Sequence, residues 1–92
     1  MGGVRSICLL GRDYPELGPL GIAGLPTGGA LALSRGALPK PYPHLDPNED
    51  GALLVETQRG MLLAIADGYN GVAACELALA AAREGAGALI DA

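Results

Sequence analysis

The chain has 92 residues and a formal net charge of −4, so it has the size of one small domain. Half of its residues are hydrophobic, which excludes global disorder, but there is no Phe or Trp and only three Tyr, so any core consists of small aliphatic side chains. Seven of the ten acids lie in residues 49–92 and no basic face is visible. This charge pattern argues against a nucleic-acid-binding protein.

The two cysteines and the N-terminus indicate the cellular compartment. Cys8 and Cys75 form no CxxC motif, and we expect two small buried thiols in a reducing environment, with a single disulfide as the alternative. We find no signal peptide and no apolar stretch of the roughly 20 residues that a membrane span needs. Gly2 and Ser6 match the short M-G-x-x-x-[ST] myristoylation pattern, which has low specificity. Together these features predict a cytoplasmic protein without a membrane span.

The first half of the chain is dominated by turn signals. Residues 1–28 are rich in Gly and Pro and predict an irregular lead-in, in which Ile7–Leu10 is a candidate strand. The next candidate strand is Ala30–Ser34. Four prolines in residues 39–47 require extended or turn backbone and exclude a helix there. We therefore expect the domain itself to cover residues 29–92.

The pattern becomes sharper from residue 51. Ala52–Glu56 and Met61–Ala66 predict two strands of an antiparallel hairpin, joined by a four-residue loop at 57–60 in which Gly60 is free to adopt positive φ. The second strand is apolar throughout, so we expect it to be buried on both faces.

An Ala-rich segment after the turn at residues 67–71 predicts a helix from Val72 to Glu84. Its residues are strong helix formers, Asn70 is a plausible N-cap and Gly85 suits the C-terminal stop. Small side chains dominate the face formed by Val72, Cys75, Ala78, Leu79 and Ala82. Hence the elements predict an α+β fold in which this helix packs closely on a sheet.

The predicted hairpin brings acids together at one end. Its register sets Asp50 opposite Asp67, with Cβ atoms about 4.5–5.5 Å apart, and Glu49 beside Gly68. Like charges at that distance repel, and Mg²⁺ or Mn²⁺ would resolve the repulsion because these ions prefer carboxylate and carbonyl oxygens. The alternative is that the aspartates only mark the polar ends of strands, where Asp-Gly is a common turn pair.

The segments PNEDGALLVET and MLLAIADGYNGVAACELALAAA resemble the N-terminal metal-binding region of the PP2C-type, metal-dependent protein serine/threonine phosphatases. That family pairs an acidic-Asp dipeptide at a strand start with an Asp-Gly after the next strand, followed by a Gly and an Ala-rich helix. The matches here are Asn48-Glu49-Asp50, Ala66-Asp67-Gly68, Gly71 and the helix over 72–84. The resemblance covers roughly residues 29–84.

The resemblance implies a partial PP2C-like β-sandwich with a flanking helix and a dinuclear Mg²⁺ or Mn²⁺ centre. Asp67 would bridge the two metals and the Gly68 carbonyl would ligate one of them. Asp50 and Glu49 would bind metal directly or through water. A metal-activated water would attack the phosphorus of a phosphoserine or phosphothreonine in a protein substrate. Asp50 and Asp67 are then the catalytic residues, and Lys40 is the candidate contact for the substrate phosphate.

The chain departs from the family pattern in three ways. The family domain is more than twice this length, and its later Asp ligands have no counterpart here. The Arg that usually precedes the acidic pair is replaced by the more distant bases Lys40 and His44. Tyr69 and Asn70 replace the usual His-Gly or Met-Gly. We therefore expect a phosphatase domain that is incomplete and inactive as this 92-residue chain.

Two other classes of protein remain as alternatives. One is a non-catalytic PP2C-like interaction module, whose exposed apolar edge is completed by a partner chain or by self-association. The other is a small structural domain in which the acids only end strands.

Overall fold

Antiparallel strands in two sheets and one C-terminal helix give the chain an α+β fold, as the element pattern predicted. The computed structural model describes residues 3–36, 48–68 and 71–92. Its elements are β1 (Arg5–Leu10), a 3-10 turn (Gly11–Asp13), β2 (Leu20–Gly24), β3 (Ala30–Ser34), β4 (Gly51–Thr57), β5 (Gly60–Ala66) and α1 (Ala73–Asp91). The first sheet has the order β1-β4-β5, and the second pairs β2 with β3.

The central strand β4 is buried on both faces. Leu53 and Val55 are 0 % exposed and pack under α1, against Cys75, Leu79 and Ala86. Fully burying a side chain of this size contributes roughly 1.5–3 kcal/mol. These contacts form the larger of the two core clusters and fix α1 over the first sheet.

The opposite face of the first sheet carries the second core cluster. Ala52 and Leu54 of β4 pack there with Leu9 of β1 and Leu31 of β3. The second sheet contacts β1 and β4 in this way, and it leaves β5 to one side. At β4 the fold therefore has three layers: α1, the first sheet and the second sheet. At β5 it has only α1 and the first sheet.

The strand β5 is buried on one face only, so the prediction of burial on both faces is wrong. Its even-numbered side chains pack towards α1, whereas Met61, Leu63 and Ile65 are 53 %, 59 % and 76 % exposed. An uninterrupted apolar run cannot distinguish a central strand from an edge strand that carries apolar residues on its open face.

The hairpin of β4 and β5 has the predicted register but a shorter turn. Gly51 pairs with Ala66 and Thr57 pairs with Gly60, so two residues form the turn instead of four. The Arg59 amide donates a hydrogen bond to Thr57 Oγ1 at 3.1 Å. Gly60 does not adopt the left-handed conformation, because this turn does not need it there.

Residues 1–28 are not an irregular lead-in over their described part, which contains both β1 and β2. β1 pairs along its whole length with β4, and β2 pairs with β3. The ring of Tyr14 lies where a side chain at Gly21 would be, so this glycine serves close packing within a strand. The strand Ala30–Ser34 was predicted correctly, and the strand predicted over Ile7–Leu10 begins two residues earlier, at Arg5. β2 was missed because its glycines resemble turn signals.

The helix α1 is longer than predicted and continues through Gly85 to Asp91. Interior glycine costs about 1 kcal/mol relative to Ala, and the burial of Ala86 offsets part of this cost. The predicted inner face is correct for Cys75 and Leu79, whereas Ala78 is exposed. The N-cap of α1 is Val72, which makes no side-chain capping hydrogen bond, so the helix does not use the predicted N-cap Asn70, which itself lies outside the described residues. No helix in the described part of the chain has the length and hydropathy of a membrane span.

Candidate functional site

Two aspartates flank the open end of the β4–β5 hairpin. Asp50 directly precedes β4 and Asp67 directly follows β5, and the last pair of the ladder is Gly51 with Ala66. Both aspartates are exposed. The hairpin therefore brings them to adjacent strand ends, and we call residues 49–50 and 67–68 the acid end.

The close approach of the two chains continues beyond the ladder. A Cβ atom on Gly68 would overlap the backbone oxygen and the Cβ of Glu49. Only glycine fits this position without a shift of the neighbouring chain. The expected proximity of Glu49 and Gly68 is therefore present in the structure.

A buried asparagine holds the backbone before Asp50. Asn48 Nδ2 donates a hydrogen bond to the Tyr14 carbonyl at 3.1 Å, and its Oδ1 accepts one from the Asp50 amide at 3.5 Å. On the other side, the Gly11 amide donates to the Asp50 carbonyl at 2.7 Å. The sequence did not predict this role of Asn48, although a side chain bonded to the backbone two residues ahead is a common Asn pattern.

Cys75 of α1 lies beneath the acid end. Its Sγ donates a hydrogen bond to the Ala66 carbonyl at 3.7 Å. Burial raises the pKa of the Cys75 thiol, and the negative charges of Asp50, Glu76 and Asp67 raise that pKa further. Both cysteines are free, and Cys75 is buried as expected, whereas Cys8 is only half-buried and that part of the prediction is wrong. The raised pKa keeps Cys75 in the protonated, unreactive form.

Next to the acid end, an ion pair connects the N-terminal half of the chain to α1. Arg12 Nε lies 2.5 Å from Glu76 Oε2, and this hydrogen-bonded pair raises the pKa of Arg12 above its usual value. Arg12 directly follows Gly11, which bonds to Asp50. Arg12 was missed from the sequence, because its partner is far away along the chain.

The acid end offers hard oxygen donors of the kind that Mg²⁺ and Mn²⁺ prefer. These are the carboxylates of Asp50, Asp67 and Glu49 and the Gly68 carbonyl. Among the described residues, no three His, Cys, Asp or Glu side chains form a group that could hold a metal ion. Both aspartates are exposed, so solvent screens their repulsion, and their proximity alone does not require a cation. The described residues of the acid end therefore supply oxygen donors but do not form a group of this kind.

Three residues considered from the sequence, Lys40, His44 and Tyr69, lie outside the described residues. The proposed phosphate contact of Lys40 thus stays a prediction.

Comparisons with protein-family models, with curated proteins and with solved structures each gave no match.

Proposed function

We propose that this chain is the N-terminal part of a PP2C-type, metal-dependent protein serine/threonine phosphatase and is inactive alone. The main support is the hairpin register, which brings Asp50 and Asp67 to adjacent strand ends. The contact of Gly68 with Glu49 gives further support. The two acidic motifs that resemble the family thereby meet at one point of the fold.

The chain's own residues have distinct roles in this proposal. Asp67 and the Gly68 carbonyl are metal ligands after β5, and Asp50 and Glu49 bind metal directly or through water before β4. Bound Mg²⁺ or Mn²⁺ would supply Lewis acidity for the attack of water on a phosphoserine or phosphothreonine ester. Lys40 is the proposed contact for the substrate phosphate. Asn48 positions the Asp50 backbone through its hydrogen bonds.

Among residues 3–36, 48–68 and 71–92, no three His, Cys, Asp or Glu side chains form a group that could hold a metal ion, which is why we propose no turnover by this polypeptide alone. Its two stacked sheets and helix correspond, in this proposal, to one part of the family's β-sandwich. Mn²⁺ would then bind weakly at the acid end and still stabilise the native chain, because a ligand that binds only the native state raises stability.

Titration with Mn²⁺ tests this proposal through the melting temperature. At ten times Kd, binding adds about 1.4 kcal/mol to the free energy of unfolding. For a chain of this size, that raises the melting temperature by roughly 5–10 °C. Asp67→Asn should abolish the increase, whereas the matched variant Glu84→Gln, which changes an exposed acid of α1, should keep it. Equal increases in both variants would show that the site assignment is wrong.

The exposed apolar face of β5 supports a second candidate, a non-catalytic PP2C-like module completed by another chain. A Mn²⁺ titration without effect on the melting temperature would favour this module over the metal-dependent phosphatase, since the absence of hydrolysis is expected for both.

A further inference from the structure

The outer edge of β5 has no strand partner among residues 3–36, 48–68 and 71–92. Its sequence, GMLLAIA, contains no proline and no charged residue. Natural edge strands usually carry Lys, Pro or a bulge that prevents pairing with another chain. This edge carries none of these devices within its seven residues.

The outward backbone groups of β5 follow from the turn. Thr57 and Gly60 flank a two-residue turn and are partners in the ladder, so they exchange both of their hydrogen bonds. Hydrogen-bonded and non-hydrogen-bonded residue pairs alternate along the ladder from there. The N–H and C=O groups of Met61, Leu63 and Ile65 therefore point away from β4.

The same three residues present exposed apolar side chains on the face that α1 leaves uncovered. An incoming strand would therefore find free backbone groups and an apolar surface at alternate positions of one strand.

We propose that two copies of this chain pair through antiparallel β5 strands, with Leu63 opposite Leu63 of the second copy. This two-fold arrangement uses all seven residues of each strand and sets Met61 opposite Ile65 of the second copy. The outward N–H and C=O groups of Met61, Leu63 and Ile65 in one β5 strand then face the same groups of the other β5 strand along the whole contact. The product is a continuous six-stranded sheet with two apolar stripes side by side.

The charges that flank β5 specify this register. With Leu63 at the two-fold axis, Arg59 in the turn before β5 of each copy comes next to Asp67, which directly follows β5 of the other, so opposite charges meet at both ends. A shift by two residues, the smallest that keeps the backbone groups matched, sets Arg59 opposite Ile65 or Asp67 opposite Met61 and loses both pairs. Arg59 is exposed, and its ion pair with Asp91 at 3.3 Å is also exposed, so the guanidinium is accessible to a second copy.

The first experiment measures the mass of the chain by sedimentation over a hundredfold range of concentration. EDTA is present throughout, so the result does not depend on a metal at Asp67. Wild type should form dimers and no larger species. Leu63→Lys places two like charges at the axis and should weaken dimerisation at least tenfold. Leu77→Lys, a matched change at an exposed leucine of α1, should leave it unchanged.

The second experiment exchanges the flanking charges. Arg59→Glu opposes two acids at each end, and Asp67→Arg opposes two bases, so each variant alone should dimerise at least tenfold more weakly than wild type. An equimolar mixture of the two variants restores opposite charges at both ends and should form a heterodimer. Circular dichroism checks that each variant is folded.

Several results would overturn the proposal. The proposal fails if the wild-type chain stays monomeric. It also fails if the chain forms assemblies that keep growing beyond the dimer, because paired β5 strands would leave no further β5 edge open. The proposal also fails if Leu77→Lys weakens the dimer as much as Leu63→Lys does. A mixture of the two charge variants that remains monomeric contradicts the register.

Discussion

Replacement of Gly68 by Ala probes the close approach of the two chains at the acid end. The added Cβ would overlap the backbone oxygen and the Cβ of Glu49. That oxygen cannot rotate away, because the neighbouring Asp50 is held by hydrogen bonds from both sides. Overpacking of this kind costs about 1–3 kcal/mol. Gly68 is not in the left-handed region, so the cost comes from the contact and not from backbone strain.

The matched control is Gly85→Ala in the helix. A Cβ atom at Gly85 meets open space, and Ala is the better helix former, so this variant should be more stable by about 0.5–1 kcal/mol. Urea denaturation of both variants measures the two changes, with the slope m expected to stay constant. The melting temperature of Gly68→Ala should fall by about 4–8 °C for each kcal/mol.

The result that refutes this reasoning is a Gly68→Ala variant as stable as wild type. It would mean that the ends of β4 and β5 lie further apart than the structure indicates. The proposed metal site would then lose the contact that supports it in addition to the hairpin register.

Two further predictions concern the core under α1. Leu53→Ala should lower the free energy of unfolding by about 2–5 kcal/mol, since Leu53 is fully buried in the central strand, and urea denaturation against the exposed-site control Leu77→Ala checks this. A loss no larger than that of the control would contradict the packing. Because burial raises the pKa of Cys75 above its usual 9.0, the folded state favours the thiol and stability should fall as pH rises past 9.0. The free energy of unfolding, measured from pH 7 to 10, should decline less steeply with pH in Cys75→Ala than in wild type. Equal slopes in the two proteins would exclude ionisation of Cys75 as the cause.

The sequence predicted the hairpin register correctly because local spacing determines it. Strands on either side of a short turn can pair in few ways, so positions 50 and 67 follow from the turn whether it has two or four residues. The burial of β5 was mispredicted for the opposite reason. The exposure of Leu63 depends on where the second sheet lies, and nothing within the strand encodes that position.

The residues that support the acid end were harder to predict than the acids. Asn48 and Arg12 act through partners far along the chain, on the Tyr14 carbonyl and on Glu76. Neither contact leaves a periodic signal in the sequence. The strand β2 was missed on similar grounds, because Gly21 is required by the ring of Tyr14 and not by a turn.

The two ends of α1 differ in how much space surrounds them. At its start, Gly51 lies so close to Cys75 and Leu79 that even a methyl group would not fit, whereas Gly85 and Gly87 face open space. A methyl group at either of these two glycines would therefore leave the helix in place. At Gly51, by contrast, a methyl group would press against Cys75 and Leu79, lift the helix from the sheet and displace the strand ends that carry Asp50 and Asp67.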